Sequence, residues 1–204
     1  MTILILCIAA VCAYLVSGLN PAIILSKSIY HKDIRECGSG NPGFTNFKRT
    51  FGNKWAWWVF VLDLGKAAAV VALFAFLYSR FGGDYQFGAA FTGLFAMAGH
   101  AFPVWYGFKG GKGFLVYMSI IWFVSWRAGL VAAAVLVVLL LTAKFMSLAS
   151  MCAVTSTILW LAVFREAGPV TIILCAVQVL FIIYRHKENI VRLAKGTESK
   201  FHLR

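Results

Sequence analysis

The chain has 204 residues, 61% of them hydrophobic and only 13% charged, with a mean hydropathy of +0.83. Soluble domains are close to half apolar and a quarter charged, so this composition excludes an ordinary soluble enzyme and points to lipid. The net charge of +12 would suit nucleic acid if the basic residues lined one polar face. They sit instead between long apolar runs, which fits membrane orientation and anionic headgroups, and no nucleic-acid partner is expected.

Crossing a hydrocarbon core takes about 20 apolar residues in a helix. In chain order, the candidate spans are 2–25, 55–78, 87–103, 114–141, 147–164 and 169–184. The first has no basic residue ahead of it and more spans follow, so it reads as a retained helix and not as a signal peptide. Short connections leave no room for a second domain, and residues 1–204 are taken as one. Cys7, Cys12, Cys152 and Cys175 fall in apolar runs with no metal-type spacing and read as packing residues. Cys37, in a polar loop, is a minor candidate for a reactive thiol.

The stretch 114–141 decides the topology. As one straight helix it would be about 42 Å long and would place Arg127 near the bilayer centre, at a cost of several kcal/mol. The alternative is two short helices joined near Ser125, Arg127 and Gly129. With the amino terminus outside, that break leaves fifteen basic residues on the inner side, Arg204 among them, against Arg80, Arg127 and Arg165 outside. Without it the count is nine against eight. The positive-inside rule therefore favours an all-α, polytopic membrane helix bundle with seven transmembrane segments, N-terminus outside and C-terminus cytoplasmic.

Three polar motifs then share the cytoplasmic face. The first is Gly38-Ser39-Gly40-Asn41-Pro42-Gly43-Phe44-Thr45-Asn46, followed by Lys48 and Arg49. Its glycines let the backbone turn tightly and aim several N–H groups at one anion, with Arg49 available as a clamp. An ordinary turn before a helix would use the same residue types. The second is Gly107-Phe108-Lys109-Gly110-Gly111-Lys112-Gly113, preceded by Gly99-His100-Ala101-Phe102-Pro103. A glycine-rich turn opening onto a helix is a ready anion site with lysine as a point charge; the spacing is not that of a Walker A loop. The third, Tyr184 to Leu193, reads as a short interfacial helix on which His186 and Asn189 share a face.

Ser147 and Ser150 stand three apart at the start of a span, where packing is the default. Asp63 and Lys66, also three apart, would neutralise each other inside a helix. His31, followed by Asp33, and His202 suggest only solvated loops. No His-x₄-Asp arrangement, nucleophile elbow or paired-carboxylate site appears, so the reaction is expected to need little from a protein carboxylate. A small-anion transporter would want polar groups at both mouths, which the sparse outer loops do not supply. A lipid-phosphate hydrolase and a non-catalytic scaffold stay open at this point.

In order and spacing, the three motifs closely resemble the bacterial acyl-phosphate:glycerol-3-phosphate acyltransferase family, an integral membrane family. The resemblance covers essentially the whole chain. It implies acyl transfer from an acyl phosphate to position 1 of glycerol 3-phosphate, giving lysophosphatidic acid and phosphate, with no cofactor and no metal. It places Ser39, Arg49, Lys112, Ser150, His186 and Asn189 as catalytic. Gly38, Gly40, Asn41, Gly43, Thr45, Asn46, His100, Lys109, Gly110, Gly111 and Gly113 would bind substrate or phosphate. It also implies a multi-pass protein of the bacterial cytoplasmic (inner) membrane with its active site facing the cytoplasm and lipid around it. The oligomeric state is left open, a monomer included. Some positions depart from the family pattern: Phe44 stands where alanine is usual, Phe114-Leu115-Val116 where valine-alanine-threonine is common, and Ala67 where glycine is frequent. Phe44 would narrow the pocket, and Val116 would remove a hydroxyl.

Overall fold

The computed structural model describes residues 1–201; His202 and Arg204 lie outside the described residues. Among the described residues, ten α-helices follow in order: α1 Thr2–Gly18, α2 Pro21–Tyr30, α3 Phe44–Phe51, α4 Asn53–Arg80, α5 Tyr85–Ala101, α6 Phe114–Val124, α7 Trp126–Thr142, α8 Met146–Phe164, α9 Pro169–Arg185 and α10 Lys187–Ala194. The all-α expectation holds, with no strand among the described residues.

The first apolar run is not one helix, contrary to expectation. Pro21 has no N–H to offer a continuing helix, but its fixed φ suits the first helical position. Asn20 caps the new start, its side-chain oxygen accepting from the Ile23 N–H at 3.0 Å. Its amide donates to the Pro42 carbonyl at 3.1 Å, tying this break to the first polar motif.

The break at Ser125 is present. Ser125 accepts from the Ala128 N–H at 3.1 Å and so caps α7, while its hydroxyl also bonds Glu166. Gln86 donates to the Val124 and Glu166 carbonyls at 2.7 and 2.8 Å, closing backbone groups that the interruption exposes. The helices α6 and α7 fold back on each other: Met118 and Ala132 share one apolar cluster, and Phe114, Leu136 and Leu140 line one cavity.

By length and composition, Thr2–Tyr30, Asn53–Arg80, Tyr85–Tyr106 and Met146–Phe164 can each cross a bilayer; α9 with α10, bent by 55°, makes a fifth, and α6 and α7 are shorter apolar helices. Large apolar side chains such as Ile3, Val137, Leu159 and Leu180 face outward. In a multi-pass membrane protein that outward apolar surface meets lipid. Without a hydrophobic drive between helices, small residues and interhelical hydrogen bonds hold the bundle. Gly99 of α5 sits so close to α1 that a Cβ there would fall 2.1 Å from the Tyr14 carbonyl oxygen. Tyr117 and Thr157 hydroxyls meet at 2.7 Å across α6 and α8, and Gln178 of α9 donates to the Ala90 carbonyl of α5 at 3.1 Å.

Candidate functional site

The loop before α3 is wound by left-handed turns at Gly38 (φ 57°) and Gly40 (φ 70°), a conformation that costs glycine little. A Cβ on Gly38 would also lie 2.3 Å from the Asn46 side-chain oxygen. Asn46 fastens the loop: it accepts the Ser39 N–H at 2.9 Å and donates to the Cys37 carbonyl at 2.9 Å. Arg35 anchors the same segment through Asp33 at 2.7 Å and through the Tyr106 carbonyl at 2.8 Å. The Arg35 guanidinium holds the Asp33 carboxyl far below the usual carboxylate range, so Asp33 is a strut and not a solvated loop residue. Cys37 is half-buried, with its thiol donating to the Asp33 carbonyl at 3.5 Å.

The second motif folds back on its own preceding helix. Gly110 and Gly111 donate to the Ala101 and His100 carbonyls, each at 3.1 Å. There is no room for side chains: a Cβ on Gly110 would stand 2.1 Å from the His100 carbonyl oxygen, and one on Gly111 2.2 Å from His100 Nε2. Arg185 donates to both glycine carbonyls at 3.1 Å and stacks on Phe102, so the third motif clamps the second. Deeper in, Lys66 Nζ lies 2.8 Å from Asp63, 3.1 Å from His100 Nδ1 and 2.8 Å from the Leu19 carbonyl. The expected Asp63–Lys66 pairing is therefore present, with His100 joined to it.

In the third motif His186 stands at the bend between α9 and α10, not on one helix face with Asn189, yet both are buried and face the same space. His186 Nδ1 lies 2.8 Å from the Ile182 carbonyl. A carbonyl only accepts, so we assign the proton to Nδ1, which leaves Nε2 an acceptor. Asn189 accepts from Lys112 and donates to Glu198 at 2.7 Å. Glu198 also accepts from Ser147 and from Arg192, each at 2.7 Å. Burial works to raise the Glu198 carboxyl, but these hydrogen bonds outweigh it and hold it below its ordinary range. Burial, reinforced by Arg192, pushes Lys112 down to about 8.

All three motifs line one cavity of about 610 Å³. Of the residues anticipated from sequence, Gly38, Ser39, Asn41, Gly43, Thr45, Asn46, Arg49, His100, Lys112, Gly113, Ser150, His186 and Asn189 face it. Gly40 and Gly110 line an adjoining basic cavity of about 270 Å³, which shares Ser39, Asn41, Lys112 and Arg192 with the first. Lys109 is exposed and, like Gly111, lines neither. Ser150 faces the cavity while its hydroxyl donates to the Met146 carbonyl at 2.7 Å. The other side of the large cavity is apolar, formed by Trp57, Phe60, Phe114, Leu115, Leu136, Leu140 and Met146.

A family model described as glycerol-3-phosphate acyltransferase matches residues 7–196. The chain belongs to this family. It is 38% identical over 194 residues to a glycerol-3-phosphate acyltransferase of Brucella anthropi, covering 94% of this chain and 91% of the relative. A relative of the same name from Lactiplantibacillus plantarum is 35% identical over 195 residues, with 96% and 91% covered. Among solved structures, the glycerol 3-phosphate form of PlsY (YgiH), an integral membrane glycerol 3-phosphate acyltransferase, superposes with a TM-score of 0.86 at 34% identity, covering 97% of this chain and 96% of that one. Its lysophosphatidic acid form superposes at 0.82 and 33% identity.

As a glycerol-3-phosphate acyltransferase family member, the chain carries site residues that its motifs did not announce. Glu198 lies past the third motif and arrives only because the tail folds back, with the Phe201 N–H donating to the Lys144 carbonyl at 2.6 Å. Two carboxylates, Glu198 and Asp63, also line the cavity. Arg185 and Arg192 were visible as charges, but their partners were not. Among the departures from the family pattern, Phe44, Phe114 and Leu115 face the cavity, whereas Val116 and Ala67 are buried in the helix core. A hydroxyl at position 116 would thus belong to packing and not to the cavity wall.

Proposed function

We propose that this protein transfers a fatty acyl group from acyl phosphate to the 1-hydroxyl of sn-glycerol 3-phosphate, giving lysophosphatidic acid and inorganic phosphate for phospholipid synthesis. The carrying observation is that three motifs far apart in sequence meet around one cavity, cationic and glycine-lined on one side and apolar on the other. That pairing fits a ligand with a phosphate head and an acyl tail. The glycerol 3-phosphate and lysophosphatidic acid forms of the PlsY structure support the acceptor and the product.

An acyl phosphate is a mixed anhydride and is already activated, so no covalent enzyme intermediate is required. The acceptor hydroxyl attacks the acyl carbonyl, a new ester C–O bond forms, and the carbonyl C–O bond to phosphate breaks with the electron pair leaving on phosphate. Arg49 and Lys112, with the Gly38 and Asn41 N–H groups that the loop's own hydrogen bonds do not use, carry the charge that develops, and positioning supplies much of the rest. The carboxylates in reach are engaged, Glu198 with three donors and Asp63 with Lys66. The hydroxyl proton therefore passes to a substrate phosphate, while His186 orients the acceptor without taking that proton.

We further read seven crossings with the cavity opening to the cytoplasm of a bacterial inner membrane. Support comes from the reversal at Ser125 and from the basic-residue asymmetry.

Purified protein given palmitoyl phosphate and glycerol 3-phosphate should release phosphate only when both are present. Release without acceptor would make it a hydrolase, and no release would return the transporter and scaffold readings. His186→Gln should retain residual turnover with a raised KM for the acceptor. Complete loss of turnover with unchanged acceptor binding would make His186 an obligatory base.

A further inference from the structure

Phe44 opens α3 directly after Gly43, so its ring stands beside the loop assigned to phosphate. It is 7% exposed and faces the cavity. Its ring centroid lies 5.2 Å from that of Trp57, 5.5 Å from Phe60 and 6.4 Å from Phe201. Those three rings line the same cavity. Phe201 is itself held, by its N–H on the Lys144 carbonyl and by Lys48 Nζ 4.8 Å above its ring. Rings packed on several sides do not swing aside without cost.

The apolar side has a different character toward α7. Trp57 is 49% exposed although it lines the cavity, and Leu136 and Leu140 are partly exposed beside the outward Val137, Val138 and Leu141. A chain leaving by that side enters lipid, so the cavity sets no far wall against its length. The constraint falls at the other end. An acyl carbonyl is one bond from the phosphate oxygen, which places the first carbons of the chain next to the residue that follows the phosphate loop.

We propose that Phe44 gauges the width of the acyl donor beside its carbonyl, admitting straight chains and rejecting donors branched at the first carbons, whatever their length. This rests on the reading that the donor is an acyl phosphate. A methyl group that a filled apolar wall cannot receive costs about 10-fold or more in kcat/KM. Removing the ring should return that factor.

The test compares kcat/KM for palmitoyl, 2-methylpalmitoyl, lauroyl and stearoyl phosphates in the wild type, Phe44→Ala and Phe44→Leu. In Phe44→Ala the branched-to-straight ratio should rise about 10-fold, with lauroyl, palmitoyl and stearoyl keeping their relative order and spacing. Phe44→Leu should fall between, and it carries the test alone if the alanine variant fails to fold, because leucine preserves more of the packing. An unmoved branched ratio, a change in length preference instead, or an equal loss on every donor overturns the proposal and leaves Phe44 a structural prop. A wild type inactive on palmitoyl phosphate with acceptor sinks the acyl-phosphate reading itself; an active wild type with an unmoved branched ratio sinks only the role of Phe44.

Discussion

Burial changes what Lys112 can do with its charge. Its ammonium sits against Asn189 in a space shared with Arg192, and desolvation brings its pKa down to about 8. In the proposed mechanism the protonated form grips phosphate, and a depressed pKa means that form is lost as pH rises through about 8. Initial-rate kcat/KM measured from pH 6 to 10 should therefore fall along a limb near 8, and Lys112→Arg should lift that limb because guanidinium stays charged. Lys112→Met should lower kcat by about 10²-fold or more, the usual cost of removing a donor from developing charge. Glu198 has the opposite task. It accepts from Ser147, Asn189 and Arg192, so Glu198→Ala orphans three donors. The expected loss is about 1–3 kcal/mol of stability, visible as a lower thermal midpoint in detergent, together with reduced turnover as Asn189 loses its support. An unchanged midpoint would show the tail to be dispensable.

Among the elements, the α6–α7 junction and the second glycine turn are the places where single atoms decide geometry. Ser125 caps α7 and bonds Glu166. Ser125→Ala should cost about 1 kcal/mol, read by thermal unfolding, with the Arg127–Glu166 contact at 3.5 Å too exposed to compensate. At the glycine turn the constraint is backbone against backbone: Gly110→Ala would drive a methyl into the His100 carbonyl. That turn must open, carrying Lys112 away from Asn189, and activity should fall at least as far as in Lys112→Met. Near-normal activity in Gly110→Ala would mean that the turn is not needed in this form.

For the whole molecule, sidedness decides whether the cavity can work. The cationic segments meet at one end of the bundle, and the chain reversal at Ser125 is what brings the tail back to that end. In a cysteine-free background, Arg127→Cys should react with an impermeant thiol reagent added outside intact cells, while Lys200→Cys should be protected. Protection at 127 with labelling at 200 would restore six crossings and separate the third motif from the other two.

The break at Ser125 was legible from sequence because a buried arginine and a lopsided charge count are both costly to ignore. Likewise, the glycine-rich segments were legible as tight turns because few residue types permit such turns. The break at Asn20 was missed: a proline inside an apolar run is compatible with a continuous span, and the amide contact with Pro42 lies 22 residues away. Nothing local marked Glu198, since its partners come from α8 and α10. Apolar patterning, charge placement and glycine spacing thus determined that this chain is a helical membrane protein with glycine-rich polar loops, for those properties depend on near neighbours and on the solvent. Only the tertiary structure decided that the loops share one cavity, that Glu198 braces Asn189, and that Phe44 lines that cavity beside Trp57. Those depend on contacts closed across long loops, whose geometry no single segment contains.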